Sequence, residues 1–314
     1  MNLRSGYARN GDIELYFEDL GNPSDPAVLL IMGLGAQLTL WHNDFCTQLI
    51  ETGYRVIRYD NRDVGLSTKL HGHRSGTSLV PGLLRYFIGK PSPSVYGLAD
   101  MATDAAAVLD HLGIHRAHVV GASMGGMIAQ IFAATRPDRT AGLGIIFSSN
   151  NVALLPPPAP QALLSLIKGP HPSSGREVVV ANSMRVSKII GSPGYPKSDE
   201  QLRADAERNY DRCFYPQGVG RHFSAAMGSG SLRGLNRRIE APTVVIHGRA
   251  DKLMRPSGGR SIAAAIPDAR LVLLDGMAHD LPEQLFPTLI TELVATFSRA
   301  ALEPQQPPHT PSED

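Results

Sequence analysis

Apolar residues along the chain form two patterns that alternate. Unbroken runs such as AVLLIM (27–32), AHVV (117–120) and AGLGIIF (141–147) are typical of strands that are covered on both faces. Between such runs, segments such as 98–112 repeat their apolar residues with helical spacing, as helices with one buried face do. Because strands that alternate with helices form mainly parallel sheets, the pattern predicts an α/β fold.

The alternation begins with a predicted hairpin. Gly6–Arg9 and Ile13–Asp19 flank Asn10-Gly11, a dipeptide that accepts the positive φ of a tight turn. The hairpin would add an antiparallel edge to a mostly parallel central sheet of about eight strands, with helices on both faces. The other strands are predicted at 54–59, 242–246 and 269–274, and further helices at 42–52, 257–265 and 287–302, with one more directly after the glycine-rich turn near 121.

One segment breaks this alternation. Residues 150–238 are rich in proline and glycine, as in LPPPAP and IGSPGYP, with short helical patterns such as 199–210. Because it is too long for a plain loop, we expect a mostly helical lid over the edge of the sheet where parallel sheets bind ligands. The predicted organisation is therefore a core in two parts, 1–149 and 239–302, around a lid at 150–238, followed by a disordered proline-rich tail at 303–314.

Composition excludes several classes of function. Of the 314 residues, 42% are hydrophobic, which is enough for a sizeable core, and the net charge of +1 lacks the basic footprint of a nucleic-acid-binding protein. No apolar run approaches the ~20 residues of a membrane span, so we expect no stable membrane insertion. Cys46 and Cys213 are too few for a disulfide framework or a zinc site. The sequence thus predicts a cytoplasmic protein with no metal, no cofactor and no nucleic-acid partner.

The segment VVGASMGGMIAQ (119–130) sets one hydroxyl among glycines between a predicted strand and a predicted helix. Gly121 and Gly125 lack the bulk that would hinder a sharp turn, and Gly126 lets the helix lie close to the strand. The alternative is a phosphate-binding or packing turn, but the segment fits neither G-x-G-x-x-G nor a P-loop. G-x-S-x-G at such a junction is the nucleophile elbow, so Ser123 is the predicted nucleophile.

A serine nucleophile needs a histidine base and a carboxylate that orients it, and with this elbow they follow in the order acid, histidine. Asp251 follows one late strand and His279 follows the last strand, so both are expected at the same sheet edge as Ser123. Asp275 and Asp280 are rival carboxylates. Both adjoin His279 in sequence, which makes it hard for them to face its Nδ1, and Asp251 is therefore the predicted acid.

The developing oxyanion needs two backbone N–H groups. Met124 would supply one because it follows the nucleophile. The loop MGLGA (32–36), after the first parallel strand, would supply the other, with Leu34 as the expected donor; an ordinary flexible turn is the alternative. Gly33 and Trp41 are expected at the pocket, although Trp41 would serve equally well as core packing.

With these pieces in this order, the sequence resembles the α/β-hydrolase superfamily over nearly the whole chain outside the tail. Segments 29–45, 53–68 and 116–130 are similar to the aclacinomycin methylesterase-like branch of bacterial serine hydrolases. The superfamily loop D-x-R-G-x-G-x-S appears as DNRDVGLS (60–67), with Asp63 at a glycine position. Many relatives have His-Gly in the oxyanion loop, where this chain and that branch have Met-Gly.

The resemblance implies the α/β-hydrolase fold and a serine hydrolase whose partners are a small-molecule ester substrate and water. The ester would be a methyl ester or lactone of a moderately apolar compound. Relatives with a carboxylate nucleophile are excluded because position 123 is serine. Carbon–carbon bond hydrolysis and cofactor-free haloperoxidase activity on the same triad stay open, as do a slow-turnover small-molecule receptor and a homodimer as the assembly.

Overall fold

The computed structural model describes residues 2–73, 79–88, 90–167 and 169–300, so the predicted tail lies outside the described residues. Eight strands form one sheet in the order β1-β2-β4-β3-β5-β6-β7-β8. The β1–β2 and β2–β4 pairs are antiparallel and the other pairs are parallel, as predicted for a hairpin added to a parallel sheet. The strands are β1 (Leu3–Asn10), β2 (Ile13–Leu20), β3 (Ala27–Ile31), β4 (Arg55–Tyr59), β5 (Ala117–Ala122), β6 (Thr140–Ile146), β7 (Thr243–Gly248) and β8 (Arg270–Leu274).

Helices cover both faces of the sheet, and the described residues include eleven α-helices. Within β3, Leu29 and Ile31 pack into the core on one face, and Val28 and Leu30 pack into the core on the other. This double burial explains the unbroken apolar runs in the sequence. The helices are α1 (Asn43–Glu51), α2 (Leu79–Phe87), α3 (Leu98–His111), α4 (Met124–Thr135), α5 (Pro160–Ile167), α6 (Arg176–Ile190), α7 (Asp199–Arg212), α8 (Pro216–Gly228), α9 (Arg233–Asn236), α10 (Pro256–Ala265) and α11 (Phe286–Phe297).

Two helices differ from the prediction. The last helix was expected to reach residue 302, but α11 ends at Phe297, and Ser298 caps it. Helix α2 has no counterpart in the predicted elements, because Pro81-Gly82 is typical of a turn. The proline lies in the first turn of α2, where its missing N–H costs no helical hydrogen bond.

Helices α5 to α8 lie between β6 and β7 in sequence, and we refer to them as the helical insert. Their side chains form walls of a cavity that begins at the carboxyl end of β5. The exact boundaries of a separate lid stay a prediction. Among the helices of the described residues, none has the length and apolar character needed to span a membrane.

Candidate active site

Ser123 occupies a sharp turn between β5 and α4. Its backbone angles are φ 56° and ψ −121°, which a residue with a side chain seldom adopts. At Gly121 a Cβ would lie 2.1 Å from the carbonyl oxygen of Gly125, and at Gly125 a Cβ would lie 2.1 Å from that of Ile31. The two glycines are therefore required by backbone-to-backbone contacts, and these contacts hold the turn in its strained shape.

The structure brings Ser123, His279 and Asp251 into one hydrogen-bonded chain. Ser123 Oγ lies 2.9 Å from His279 Nε2, and His279 Nδ1 lies 2.8 Å from Asp251 Oδ2. The other carboxylate oxygen, Oδ1, accepts the N–H groups of Leu253 at 2.8 Å and Met254 at 2.9 Å. With both oxygens engaged, the buried carboxylate has a fixed orientation towards Nδ1. The imidazole is in turn packed against the Phe147 ring, with centroids 4.7 Å apart.

The rival carboxylates have other partners. Asp275 is 90% exposed and forms an ion pair with Arg249 at 2.8 Å. Asp280 accepts a hydrogen bond from the Ser192 hydroxyl, and burial raises the pKa of its carboxyl group. Neither carboxylate contacts the Nδ1 of His279, so among the three candidates only Asp251 has the geometry to orient this histidine.

His247 of β7 lies next to Asp251, and its place at the end of a predicted strand indicates a packing role. It is fully buried, and its Nε2 donates to the carbonyl oxygen of Met254 at 2.7 Å while lying 3.6 Å from Asp251 Oδ2. Burial lowers its pKa, which keeps the ring neutral. A neutral ring leaves the Asp251 charge available to His279.

Leu34 and Met124 lie beside Ser123 at the wall of the cavity. Leu34 is in the loop after β3, and Met124 is the first residue of α4, whose N-terminus favours negative charge. Within the described residues, neither backbone N–H donates to an acceptor. At Gly33 a Cβ would lie 3.0 Å from the Cβ of Ser123, so the glycine leaves room next to the hydroxyl. The arrangement therefore offers two free N–H donors near Ser123 Oγ.

The loop that carries Leu34 is held by side chains at several points. The N–H of Gly35 donates to His222 Nδ1 at 3.1 Å, and Asn61 Nδ2 donates to the carbonyl oxygen of Met32 at 2.9 Å. Further along, the N–H of Leu38 donates to Asp60 Oδ1 at 2.8 Å. These contacts are not those of a flexible turn. The partners at 60, 61 and 222 were not predicted, because they are distant from the loop in sequence.

A cavity of about 570 Å³ opens from Ser123 and is lined mostly by apolar side chains. A second cavity of about 790 Å³ shares wall residues with it, including Leu34 and Phe223. Trp41 lines neither cavity within the described residues: it is fully buried and packs against Phe45, with ring centroids 5.5 Å apart. The expectation of a pocket role for Trp41 is therefore wrong, and its alternative as core packing is right. Gly33 does line the first cavity.

Asp63, at the glycine position of the superfamily loop, has φ 67°, which explains why glycine is favoured there. Its carboxylate oxygens each accept a hydrogen bond of 2.7 Å from Arg221 of α8, and one also accepts from the Tyr96 hydroxyl at 2.8 Å. Burial alone would raise the pKa of Asp63, but these hydrogen bonds and that of Leu70 N–H bring it below its usual value. The aspartate thus attaches the helical insert to the core.

Comparison with known proteins agrees with this architecture. The family model described as "alpha/beta hydrolase fold" matches residues 26–284. Rhodomycin D methylesterase of Streptomyces peucetius is 27% identical over 310 residues, covering 93% of this chain and 97% of that protein. The 2-hydroxy-6-oxononadienedioate/2-hydroxy-6-oxononatrienedioate hydrolase of Cupriavidus pinatubonensis is 26% identical, covering 86% of both chains. The solved enol-lactonase from Burkholderia xenovorans has a similar fold, with a TM-score of 0.70 at 22% identity, covering 93% of this chain and all of that one.

The chain belongs to the α/β-hydrolase family, and it is a hydrolase enzyme. The similarity to the methylesterase also supports the predicted resemblance to the aclacinomycin methylesterase-like branch. The fold class predicted from sequence, a mostly parallel sheet of eight strands between helices, is confirmed. Among the described residues, no group of three or more histidine, cysteine or acidic side chains is arranged to hold a metal ion.

Proposed function

We propose that this protein hydrolyses carboxylic esters through an acyl-enzyme formed on Ser123. One observation carries the proposal: Ser123 Oγ, His279 and Asp251 form an unbroken hydrogen-bonded chain with contacts of 2.9 and 2.8 Å. These three side chains lie at an apolar cavity. Nucleophile, base and orienting carboxylate follow one another in the order that nucleophilic serine catalysis requires.

In the proposed first half-reaction, the Ser123 hydroxyl attacks the ester carbonyl carbon while His279 Nε2 takes its proton. Asp251 holds the ring in the Nδ1–H tautomer and stabilises the imidazolium that forms. The alcohol leaves with the proton from Nε2. In the second half-reaction water attacks the acyl carbon and gives its proton to His279 Nε2. The bond between that carbon and Ser123 Oγ then breaks, His279 returns the proton to Oγ, and the acid is released.

The N–H groups of Leu34 and Met124 are the proposed oxyanion hole. Each is without an acceptor in the described structure and lies beside the nucleophile. A donor fixed in this way contributes about 3–4 kcal/mol to the transition state, because it meets the negative charge without reorganisation. The helix dipole of α4 adds to the same stabilisation.

The proposed substrate is a methyl ester or lactone of a moderately apolar compound. Apolar side chains, methionine, leucine and phenylalanine among them, form most of the wall of the cavity next to Ser123, which favours an apolar acyl group. The substrate class named for the rhodomycin D methylesterase, which is similar over most of its length, supports the methyl ester. The small-molecule ester and water are thus the proposed partners.

A fluorophosphonate label followed by peptide mapping tests the nucleophile. We expect the label on Ser123, and we expect Ser123→Ala to lose labelling and to lower kcat by more than about 10⁴-fold for p-nitrophenyl esters. Ser261→Ala is the matched control, since Ser261 lies in α10 and lines neither described cavity. Undiminished hydrolysis by Ser123→Ala would refute the mechanism. A series of p-nitrophenyl esters of increasing acyl length then measures the size of the acyl site.

Hydrolysis of an activated carbon–carbon bond is the second candidate. The 26% identity to the 2-hydroxy-6-oxononadienedioate hydrolase over 86% of the chain favours it, and the same triad would serve. The two candidates differ in substrate alone, so kcat/KM for p-nitrophenyl acetate and for a coloured ring-cleavage dienoate distinguishes them. If kcat/KM is higher for the dienoate, the dienoate replaces the ester as the preferred substrate.

A further inference from the structure

His222, on α8 of the helical insert, makes two hydrogen bonds to different segments of the core. Its Nδ1 accepts the N–H of Gly35 at 3.1 Å, and its Nε2 lies 2.7 Å from the carbonyl oxygen of Arg62. A carbonyl oxygen only accepts, so Nε2 carries the proton and donates it. A backbone N–H only donates, so Nδ1 is unprotonated. The geometry therefore requires a neutral imidazole in the Nε2–H tautomer.

Both core partners of His222 are themselves constrained. Arg62 forms a bidentate ion pair with the buried Asp104, with two hydrogen bonds of 2.6 Å. Gly35 has φ 66°, and a Cβ at this position would lie 2.9 Å from a methyl group of Val219, one turn before His222 on α8. The oxyanion loop thus packs directly against α8, and the imidazole sits between two segments that cannot easily move apart.

The hydrogen bond from Gly35 affects its neighbour Leu34. The peptide group between residues 34 and 35 is planar, so an acceptor that fixes the Gly35 N–H also fixes the carbonyl of Leu34. The preceding peptide is held within the same turn, because its Gly33 carbonyl oxygen accepts the Ala36 N–H at 3.3 Å. That preceding peptide carries the Leu34 N–H. His222 itself lines neither described cavity and has no contact with the reacting atoms.

We propose that His222 is a positioning residue for the oxyanion hole: it fixes the loop so that the Leu34 N–H points to where the oxyanion develops. This inference rests on the proposed function, since it assumes that the Leu34 amide acts in ester hydrolysis. It also assigns the helical insert a part in catalysis beyond enclosing the substrate, because α8 carries the acceptor.

Two substitutions at this position separate its two hydrogen bonds. His222→Asn places an oxygen near the position of Nδ1, so it retains the acceptor for Gly35 and loses the donor to Arg62. His222→Gln reaches the position of Nε2, so it retains that donor and loses the acceptor. Each variant loses one hydrogen bond of the wild-type ring, and their difference reports the contact to the oxyanion loop.

We expect His222→Gln to lower kcat by about 10²-fold with KM changed less than about threefold, as loss of one oxyanion donor does. We expect His222→Asn to restore most of that kcat. The same order should hold for the rate of fluorophosphonate labelling, since Ser123 Oγ displaces fluoride through a five-coordinate phosphorus whose phosphoryl oxygen would occupy the oxyanion hole. Equal kcat in the two variants, or a loss confined to KM, would overturn the inference.

Amide hydrogen exchange of the wild-type protein provides a test that needs no variant. The Gly35 N–H should exchange far more slowly than a free amide, and 15N NMR should show His222 protonated at Nε2 and not at Nδ1. Fast exchange at Gly35 or the opposite tautomer overturns the inference even if neither variant folds. If wild-type protein neither takes the label nor cleaves esters, the proposed function fails, whereas active wild type with two equally active variants contradicts only the role of His222.

Discussion

Ser123 is held in a backbone conformation that favours glycine. Its angles, φ 56° and ψ −121°, are those of the first central residue of a type II′ turn, a position that glycine dominates. We therefore predict that Ser123→Gly is more stable to unfolding than Ser123→Ala, although both variants lack the nucleophile. Both substitutions remove the same hydroxyl and its contact with His279, so their difference isolates the backbone term.

The size of this difference in unfolding free energy follows from two opposing effects. Relief of the strained angles should stabilise the glycine variant by about 1–3 kcal/mol. The greater freedom of glycine in the unfolded chain offsets about 0.5–1 kcal/mol of this gain. The free energy of unfolding of Ser123→Gly should thus exceed that of Ser123→Ala by up to about 2.5 kcal/mol, with about 1 kcal/mol as the central value.

Urea unfolding followed by circular dichroism measures this difference, and the matched control is the same pair of substitutions at Ser261. Ser261 lies inside α10, where backbone angles are helical, so there the glycine variant should be less stable than the alanine variant by about 1 kcal/mol. The sign should therefore reverse between the two positions. If Ser123→Gly were as stable as Ser123→Ala or less so, the elbow would not be strained and the reasoning would be refuted.

Three further predictions concern the scaffold around the site. Gly125→Ala should lower the free energy of unfolding by more than about 2 kcal/mol in urea, because its Cβ would lie 2.1 Å from a β3 carbonyl oxygen. Gly234→Ala is the control: it lies in α9 with no atom within 4 Å of its Cβ position, so it should not lower the free energy of unfolding. Burial lowers the pKa of His222 from 6.5 to about 4, so below pH 6.5 the unfolded chain binds a proton that the folded chain excludes. The contribution of His222 should therefore make stability fall by about 3 kcal/mol between pH 6.5 and pH 4. Because buried His118 and His247 have lowered pKa values too, urea titrations across pH should compare wild type with His222→Asn, whose stability should fall by that much less. Arg221→Met should cost about 3–5 kcal/mol by leaving the Asp63 carboxylate without its buried partner, and the double variant with Asp63→Gly should lose less than the sum of the single losses.

The sheet was predictable because its pattern is local. Each parallel strand is buried on both faces and therefore appears as an apolar run, and the hairpin has a recognisable turn at Asn10-Gly11. The end of α11 was misplaced because helical spacing continues past Phe297, and α2 was missed because Pro81-Gly82 resembles a turn. Errors of this kind arise where local propensity and tertiary packing disagree.

The candidate site likewise has residues that the sequence predicts and contacts that only the structure shows. Ser123, Asp251 and His279 could be proposed because each follows a strand, and the ends of parallel strands meet at one edge of the sheet. The contact between His222 and Gly35 joins residues far apart in sequence and has no motif, so only the packing of α8 on the loop reveals it. Trp41 had two interpretations from sequence, and its burial against Phe45 required the structure.

Buried ion pairs attach the helical insert to the core. On the side of the oxyanion loop it is fixed by polar groups: Arg221 pairs with Asp63, and Arg212 pairs with the fully buried Asp60 at 2.8 Å. Buried ion pairs add little net stability, because desolvation offsets their attraction, but they disfavour any arrangement that separates the partners. An apolar contact alone would allow the insert to slide along the core. The insert is therefore held in one register against the loop of Leu34, and substrate binding need not supply the free energy to order that loop.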